Sequence, residues 1–182
     1  MRTKICHPIT GEPPPRGYDS LNLIRIGGST GKVGSFGMTR NSGQKAHKGV
    51  DYLCIPGRPV FCPMDGTVAR AGFQDPSDPC RGHGLRVYIK HETEAHGLLV
   101  SCFSHLSALE IHRTFGTELV RGQIVGWTGR TGNVSDNVPS HLHWELWMSR
   151  EVNGTPVDPE RFMAEGTLLG MDGRFVIPDE VA

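Results

Sequence analysis

The chain of 182 residues carries 19 Lys and Arg against 19 Asp and Glu, so its length fits one domain and its neutral balance lacks the basic footprint of a nucleic-acid binder. Hydrophobic residues make up 37%, and 24 Gly with 13 Pro favour a loop-rich β architecture over a helical bundle. No apolar run approaches the roughly 18 residues of a membrane span, which argues against membrane insertion, and MRTKICHPITGEPPP lacks the apolar core of a signal peptide.

Residues 1–40 read as a loop-rich lead-in in which only LNLIRI is strand-like. From Ala46 onward the texture changes to short β-prone runs between turn residues: VDYLCI, PVFCP, GTVARAGF, GLRVYIKH, GLLVSCFSHL, QIVGWTG and HLHWELWM. Without a long helical period, these runs predict an all-β domain over 41–165, followed by a tail at 166–182. Short helical turns are expected at SALEIHRTF and PVDPERFMAEG. Cys6, Cys54, Cys62, Cys80 and Cys102 are widely spaced, with no C-x-x-C pair, and read as buried thiols. An odd count excludes a complete disulfide framework, though one or two bridges would suit an oxidising compartment.

Two histidine patterns carry the chemistry. In PSHLHWELW, strand alternation puts His141, His143, Glu145 and Trp147 on one face and Leu142, Trp144 and Leu146 on the other. Two imidazoles therefore point together from a strand whose apolar side packs on a core. In HKGVD, a straight strand would hold His47 and Asp51 roughly 13 Å apart, too far for one metal ion, so the backbone must bend between them. Gly49 lies at the midpoint, where a missing Cβ makes a bulge or turn inexpensive. His, Asp and His would supply three nitrogen or oxygen ligands and leave a fourth position for water, the arrangement of a catalytic zinc. His105 closes the apolar run LLVSCFSHLS and shares parity with Leu99, Ser101 and Phe103. His7, His83, His91, His96 and His112 have no ligand-type partner at useful spacing and read as structural, as do Trp127, Trp144, Trp147 and the turn residue Asp65.

Taken together, these motifs resemble the M23 metallopeptidases, the lysostaphin-like or LytM-type peptidoglycan endopeptidases. HKGVDYLCIPGRPVFCPMDGTVARAG, GLRVYIKH, FSHLSAL, VRGQIVGWTGRTGN, SHLHWEL and PVDPERF follow in the family's order over about residues 46–163. The resemblance implies a compact antiparallel β-sheet with a narrow groove between loops, and one zinc ion per chain held by His47, Asp51 and His143. It also implies that His141 and His105 flank the attacking water and the developing oxyanion. With no H-E-x-x-H glutamate in the chain, His141 is read as general base and His105 as oxyanion stabiliser or acid, and the division is open to reversal. Glu145 is a rival base but reads better as the partner that orients an imidazole. The Gly-, Asn-, Ser- and Thr-rich stretch TGRTGNVSDNVPS forms a groove wall, with Thr131 and Asn133, together with Glu145, as substrate-binding candidates. That stretch is longer than the family's usual form, QDPSDPCRGHG is long as well, and Phe103 stands where the family's Y-x-H-L form has tyrosine.

The expected substrate is the peptide stem of bacterial peptidoglycan. The cross-link cut is left open between D-Ala to diaminopimelate, diaminopimelate to diaminopimelate, and a glycine bridge. Action belongs in the periplasm or cell wall, so the missing signal peptide points to a trimmed sequence or a specialised route. An injected antibacterial effector of type VI kind is the favoured expectation, with an immunity protein and a secretion carrier as partners. A phage-associated lysin and a non-catalytic LytM-type regulator are the alternatives.

Overall fold

The computed structural model describes residues 5–11, 34–111, 115–148, 154–165, 168 and 170. LNLIRI, His112 and most of the 166–182 tail lie outside them. A two-stranded hairpin, β1 (Gly37–Arg40) and β2 (Lys45–His47), precedes a nine-stranded antiparallel sheet. That sheet comprises β3 (Gly49–Leu53), β4 (Pro59–Phe61), β5 (Gly66–Phe73), β6 (Leu85–Thr93), β7 (Gly97–Leu109), β8 (Glu118–Leu119), β9 (Ile124–Thr128), β10 (His141–Met148) and β11 (Thr155–Val157). One short helix, α1 (Pro159–Glu165), follows.

The seven β-prone runs all contain strands, and PVDPERFMAEG contains α1. SALEIHRTF begins as strand, with residues 112–114 outside the described ones: β7 continues to Leu109, because its far end pairs with β9 through Leu106↔Thr128, Ala108↔Trp127 and Leu109↔Gly126. The lead-in is also more structured than its composition suggests. Its last four residues form β1, while Ile5, Cys6 and Ile9 are buried, with Cys6 N–H donating to the Pro63 carbonyl and Phe61 N–H to that of Pro8. All five cysteines are free thiols, and Cys6, Cys62 and Cys102 are buried as read, whereas Cys54 is half-buried and Cys80, on the long loop between β5 and β6, is exposed.

Strand β10 organises the site. It pairs along one edge with β7, through His143↔Ser104 and Glu145↔Cys102, and along the other with β3, through His143↔Asp51 and Glu145↔Gly49. Residues directly opposite in a ladder share a face, so Asp51, His143 and Ser104 lie side by side. The other face is the core, where Leu142, Trp144 and Leu146 have no exposure and Trp144 stacks on Phe103 with centroids 6.0 Å apart. The alternation expected of HLHWELWM is present, but its polar face is buried as well.

Candidate metal centre

The bend required between His47 and Asp51 falls at Lys48, where β2 ends and β3 begins. Gly49 permits it by close approach, since a Cβ there would lie 2.3 Å from the Trp144 carbonyl oxygen. Three donor atoms then converge. His143 Nδ1 is 2.7 Å from Asp51 Oδ1 and 3.1 Å from His47 Nε2, and His47 Nε2 is 3.3 Å from Asp51 Oδ1. Tetrahedral ligands at ~2.1 Å from a zinc ion stand about 3.4 Å apart, so this donor set is nearly closed on a single cation position.

The charges around these donors give an independent test of fit. Burial alone would lower the His143 pKa, but the Asp51 and Glu145 carboxylates raise it to about 9, so both ring nitrogens carry protons, donating to Asp51 and to Glu145 Oε1 at 3.1 Å. Arg40 Nη2 adds a second positive charge, 2.6 Å from Asp51 Oδ2 and 2.9 Å from His47 Nε2. Burial would raise Asp51, yet its bonds to His143 and His47 hold it well below the usual carboxylate range. An imidazolium and a guanidinium thus stand where one dication would satisfy the same atoms. His47 donates Nδ1–H to the Ser35 carbonyl at 2.9 Å, which leaves the Nε2 lone pair for the shared position. The residues present fit a zinc ion held by His47 Nε2, Asp51 and His143 Nδ1.

The two auxiliary histidines are oriented by backbone carbonyls. His141 donates Nδ1–H to Pro139 O at 2.9 Å, and its Nε2 is 3.9 Å from Asp51 Oδ1. His105 donates Nδ1–H to Thr131 O at 2.8 Å. Their rings meet edge-on at 4.8 Å. Burial lowers both pKa values, that of His105 to about 3 with help from the neighbouring His143 charge, so both imidazoles are neutral and their Nε2 atoms accept.

His105 reaches this face by a route its parity did not indicate. In the β6–β7 ladder Val87 opposes Phe103 and Leu85 opposes Leu106, so one residue of β6 faces two of β7. His105 occupies the bulge with φ +61°, a left-handed conformation uncommon for a residue with a side chain. The extra residue turns its ring from the Phe103 side to the Ser104 side.

His83 also belongs here, contrary to its structural reading. Its Nδ1 is 2.8 Å from Ser104 Oγ, and its ring lies edge-on to His143 at 5.4 Å and parallel to His105 at 6.3 Å. It arrives on the long QDPSDPCRGHG loop, whose Gly84 packs so closely that a Cβ would meet Gly132 N at 2.3 Å. The loop contact cannot be read from local spacing, because His83 and His143 lie far apart in the chain.

A cleft of about 540 Å³ opens over these groups, lined among others by Arg40, Lys48, His83, Asn133, Val138 and Glu145. Asn133 is therefore on the wall as expected. The Thr131 hydroxyl is engaged elsewhere, accepting from Leu85 N–H and donating to Leu106 O, and its contribution to the site is the carbonyl that anchors His105. Glu145 bonds His143 Nε2 and accepts from Trp147 Nε1, the orienting position anticipated for it.

An antiparallel sheet with a His/Asp/His donor set and two carbonyl-oriented imidazoles beside it defines a β-sheet protein with a candidate hydrolytic metal centre. Residues 45–159 match Peptidase family M23, and the chain belongs to that family. It is 31% identical over 127 residues to an uncharacterised metalloprotease of Haemophilus influenzae, covering 70% of this chain and 23% of that protein. It is 30% identical over 115 residues to the peptidoglycan DD-endopeptidase ShyC of Vibrio cholerae, covering 63% and 22%. The solved catalytic domain of the antimicrobial peptidase lysostaphin from Staphylococcus simulans aligns with a TM-score of 0.54 at 28% identity, over 71% of this chain and 86% of that one. The chain thus spans about a quarter of the length of these two curated relatives.

Proposed function

We propose that this protein is a zinc-dependent endopeptidase that hydrolyses peptide cross-links of bacterial peptidoglycan, in the periplasm or cell wall. The observation that carries the reading is the convergence of His47 Nε2, Asp51 and His143 Nδ1 beneath two neutral imidazoles, at the floor of an open cleft. The family and the names of its relatives supply the substrate class.

When bound, zinc supplies Lewis acidity, polarising the scissile carbonyl and acidifying water. His141 Nε2 accepts the proton of the attacking water, a role that its Nδ1 bond to Pro139 O prepares by holding the acceptor nitrogen toward Asp51. The water oxygen bonds to the carbonyl carbon, the C–N bond breaks, and the amine leaves with a proton returned by an imidazole. The proton that His141 takes from the water is the one returned to the amine, and neutral His105 acts as oxyanion stabiliser or acid once that proton is passed to its Nε2. Glu145 holds the His143 ring, and Asn133 with Arg40 and Lys48 offers polar contacts to the peptide.

The test is digestion of purified Gram-negative and Gram-positive peptidoglycan by metal-loaded protein, with released muropeptides identified by mass spectrometry. New stem-peptide termini are expected, and their chemistry names the bond. Intact cross-links with a full complement of zinc would favour the non-catalytic regulator. Injection into competitor cells, with an immunity protein over the cleft, is a separate proposal resting on sequence alone, and co-expression with operon neighbours tests it.

A further inference from the structure

We propose that His83, Cys102 and Glu145 form a second cation site, for a borderline or soft divalent ion such as zinc or cadmium, beside the His47–Asp51–His143 centre. The inference does not depend on the chain cutting peptidoglycan.

Each of the three side chains brings a donor atom to within 4.8 Å of the other two. Cys102 and Glu145 are directly opposite in the β7–β10 ladder and so project from the same face. His83 closes the triangle from the loop above. That loop is held at four points: Gln74 Oε1 accepts His83 N–H at 2.8 Å, His83 O accepts His105 N–H at 2.9 Å, Gly82 O accepts Asn133 N–H at 2.8 Å, and Gly84 packs on Gly132. A site built on two paired strands and a braced loop starts near its bound geometry. Closing to the ~3.4 Å ligand spacing of a tetrahedral ion needs movement of about an ångström, which rotation of the half-buried His83 ring, exchanging its Ser104 bond for the ion, supplies while its backbone stays braced.

The donor set has capacity to spare. Glu145 Oε1 faces His143 Nε2 and Oε2 accepts from Trp147 Nε1, and each carboxylate oxygen retains a second lone pair. The Ser104 hydroxyl, 2.8 Å from His83 Nδ1 and 3.6 Å from Cys102 Sγ, spans two of the ligands. His83 and Glu145 both line the cleft, which gives an ion its path in.

Thiolate selects the metal. Burial pushes the Cys102 thiol up to about 12, so an S–H bond persists there at neutral pH until a dication displaces its proton to solvent as the sulfur–metal bond forms. Magnesium and calcium, which prefer oxygen donors, gain little from sulfur, whereas zinc and cadmium do. The first centre has no sulfur, so the two are spectroscopically distinct.

Cobalt(II) titration of the full chain tests this. The expected result is two equivalents bound, with a near-ultraviolet thiolate-to-cobalt charge-transfer band. Cys102→Ser and His83→Gln should each bind one equivalent and lose the band, while Asp51→Asn should lose the other equivalent and keep the band. Far-ultraviolet circular dichroism checks that each variant is folded. A wild-type chain that binds a single equivalent without the band overturns the second site and leaves the first intact. A band that survives Cys102→Ser, arising from another thiol, overturns it too. The converse outcome, a band with one equivalent that Asp51→Asn does not reduce, supports this site and counts against the metal reading under Proposed function.

Discussion

Arg40 and Asp51 form a charge-assisted hydrogen bond of 2.6 Å, and the same guanidinium nitrogen lies 2.9 Å from His47 Nε2, so a residue of the lead-in hairpin touches two of the three candidate metal ligands. An incoming dication must displace the Arg40 contact with His47 Nε2 and then tolerate a nearby positive charge, since the Arg40 bond to Asp51 is to Oδ2 and the converging donor is Oδ1. Hydrogen bonds to charged groups contribute about 1.5 kcal/mol or more, so Arg40→Met should bind zinc at least about tenfold more tightly. Competition with a chromophoric chelator measures this, and the gain should shrink as salt screens the charge. Equal affinity in the two proteins would mean that Arg40 does not compete for the site.

Metal retention separates the two histidines of HLH. His143 Nδ1 sits among the donors, whereas His141 faces them with Nε2 at 3.9 Å from Asp51 Oδ1. His143→Ala should lose metal and activity together. His141→Ala should keep its metal and lose turnover by about 10²- to 10⁴-fold, the usual contribution of a positioned acid or base. Metal analysis of both dialysed variants checks the assignment, and it fails if both retain zinc.

The pairing of HKGVD with HLH was legible because alternation places ligand-type residues on one face, and Gly49 marks the bend between His47 and Asp51. Three features were hidden for separate reasons. The parity of β7 put His105 with Phe103, and only a bulge of one residue, set by pairing with β6, reverses it. His83 enters through a loop that has no periodicity to read and is fixed by contacts with residues 131–133. Arg40 lies in a segment whose Gly and Pro content resembles linker, although its hairpin is held to the site by its own ion pair. Thr131 shows the reverse error: loop composition suggested a hydroxyl for substrate, and tertiary contacts use that hydroxyl between β6 and β7.

A histidine outside the site should contribute to acid sensitivity alongside the other buried imidazoles. His91 is fully buried, bonded through its two nitrogens to Asp65 O and Ser101 Oγ, and burial lowers its pKa to about 4. The unfolded chain, with a value near 6.5, binds the extra proton between these limits, so stability rises with pH across the window. The contribution is complete above about 6.5 and is lost as pH falls toward 4, by roughly 2 kcal/mol at pH 5 and 3 kcal/mol at pH 4. Urea unfolding of the metal-free protein at several pH values should show this slope, and His91→Gln, though less stable at pH 7, should show a flatter one. Parallel slopes would place the acid sensitivity elsewhere.

Gly49 links packing to the metal centre most directly. Its missing side chain lets β3 approach β10, and an added Cβ would stand 2.3 Å from Trp144 O, 2.8 Å from Trp144 C and 2.9 Å from Glu145 Cγ. Two of those atoms are backbone of a paired strand, so relief requires β3 and β10 to separate. Overpacking of this kind costs about 1–3 kcal/mol, partly offset by the lower unfolded-state entropy of alanine. For a chain of this size Gly49→Ala should therefore lower Tm by roughly 4–8 °C. Asp51 lies two residues along the same strand and opposite His143, so zinc affinity should fall as well. Gly57→Ala is the control: nothing lies within 4 Å of its added Cβ, and its φ of +82° strains the backbone without touching the β3–β10 ladder. Calorimetry should find both variants destabilised, and chelator competition should find weakened zinc binding in Gly49→Ala alone; an equal loss of affinity in both would show that general destabilisation, rather than the spacing of these two strands, sets metal binding.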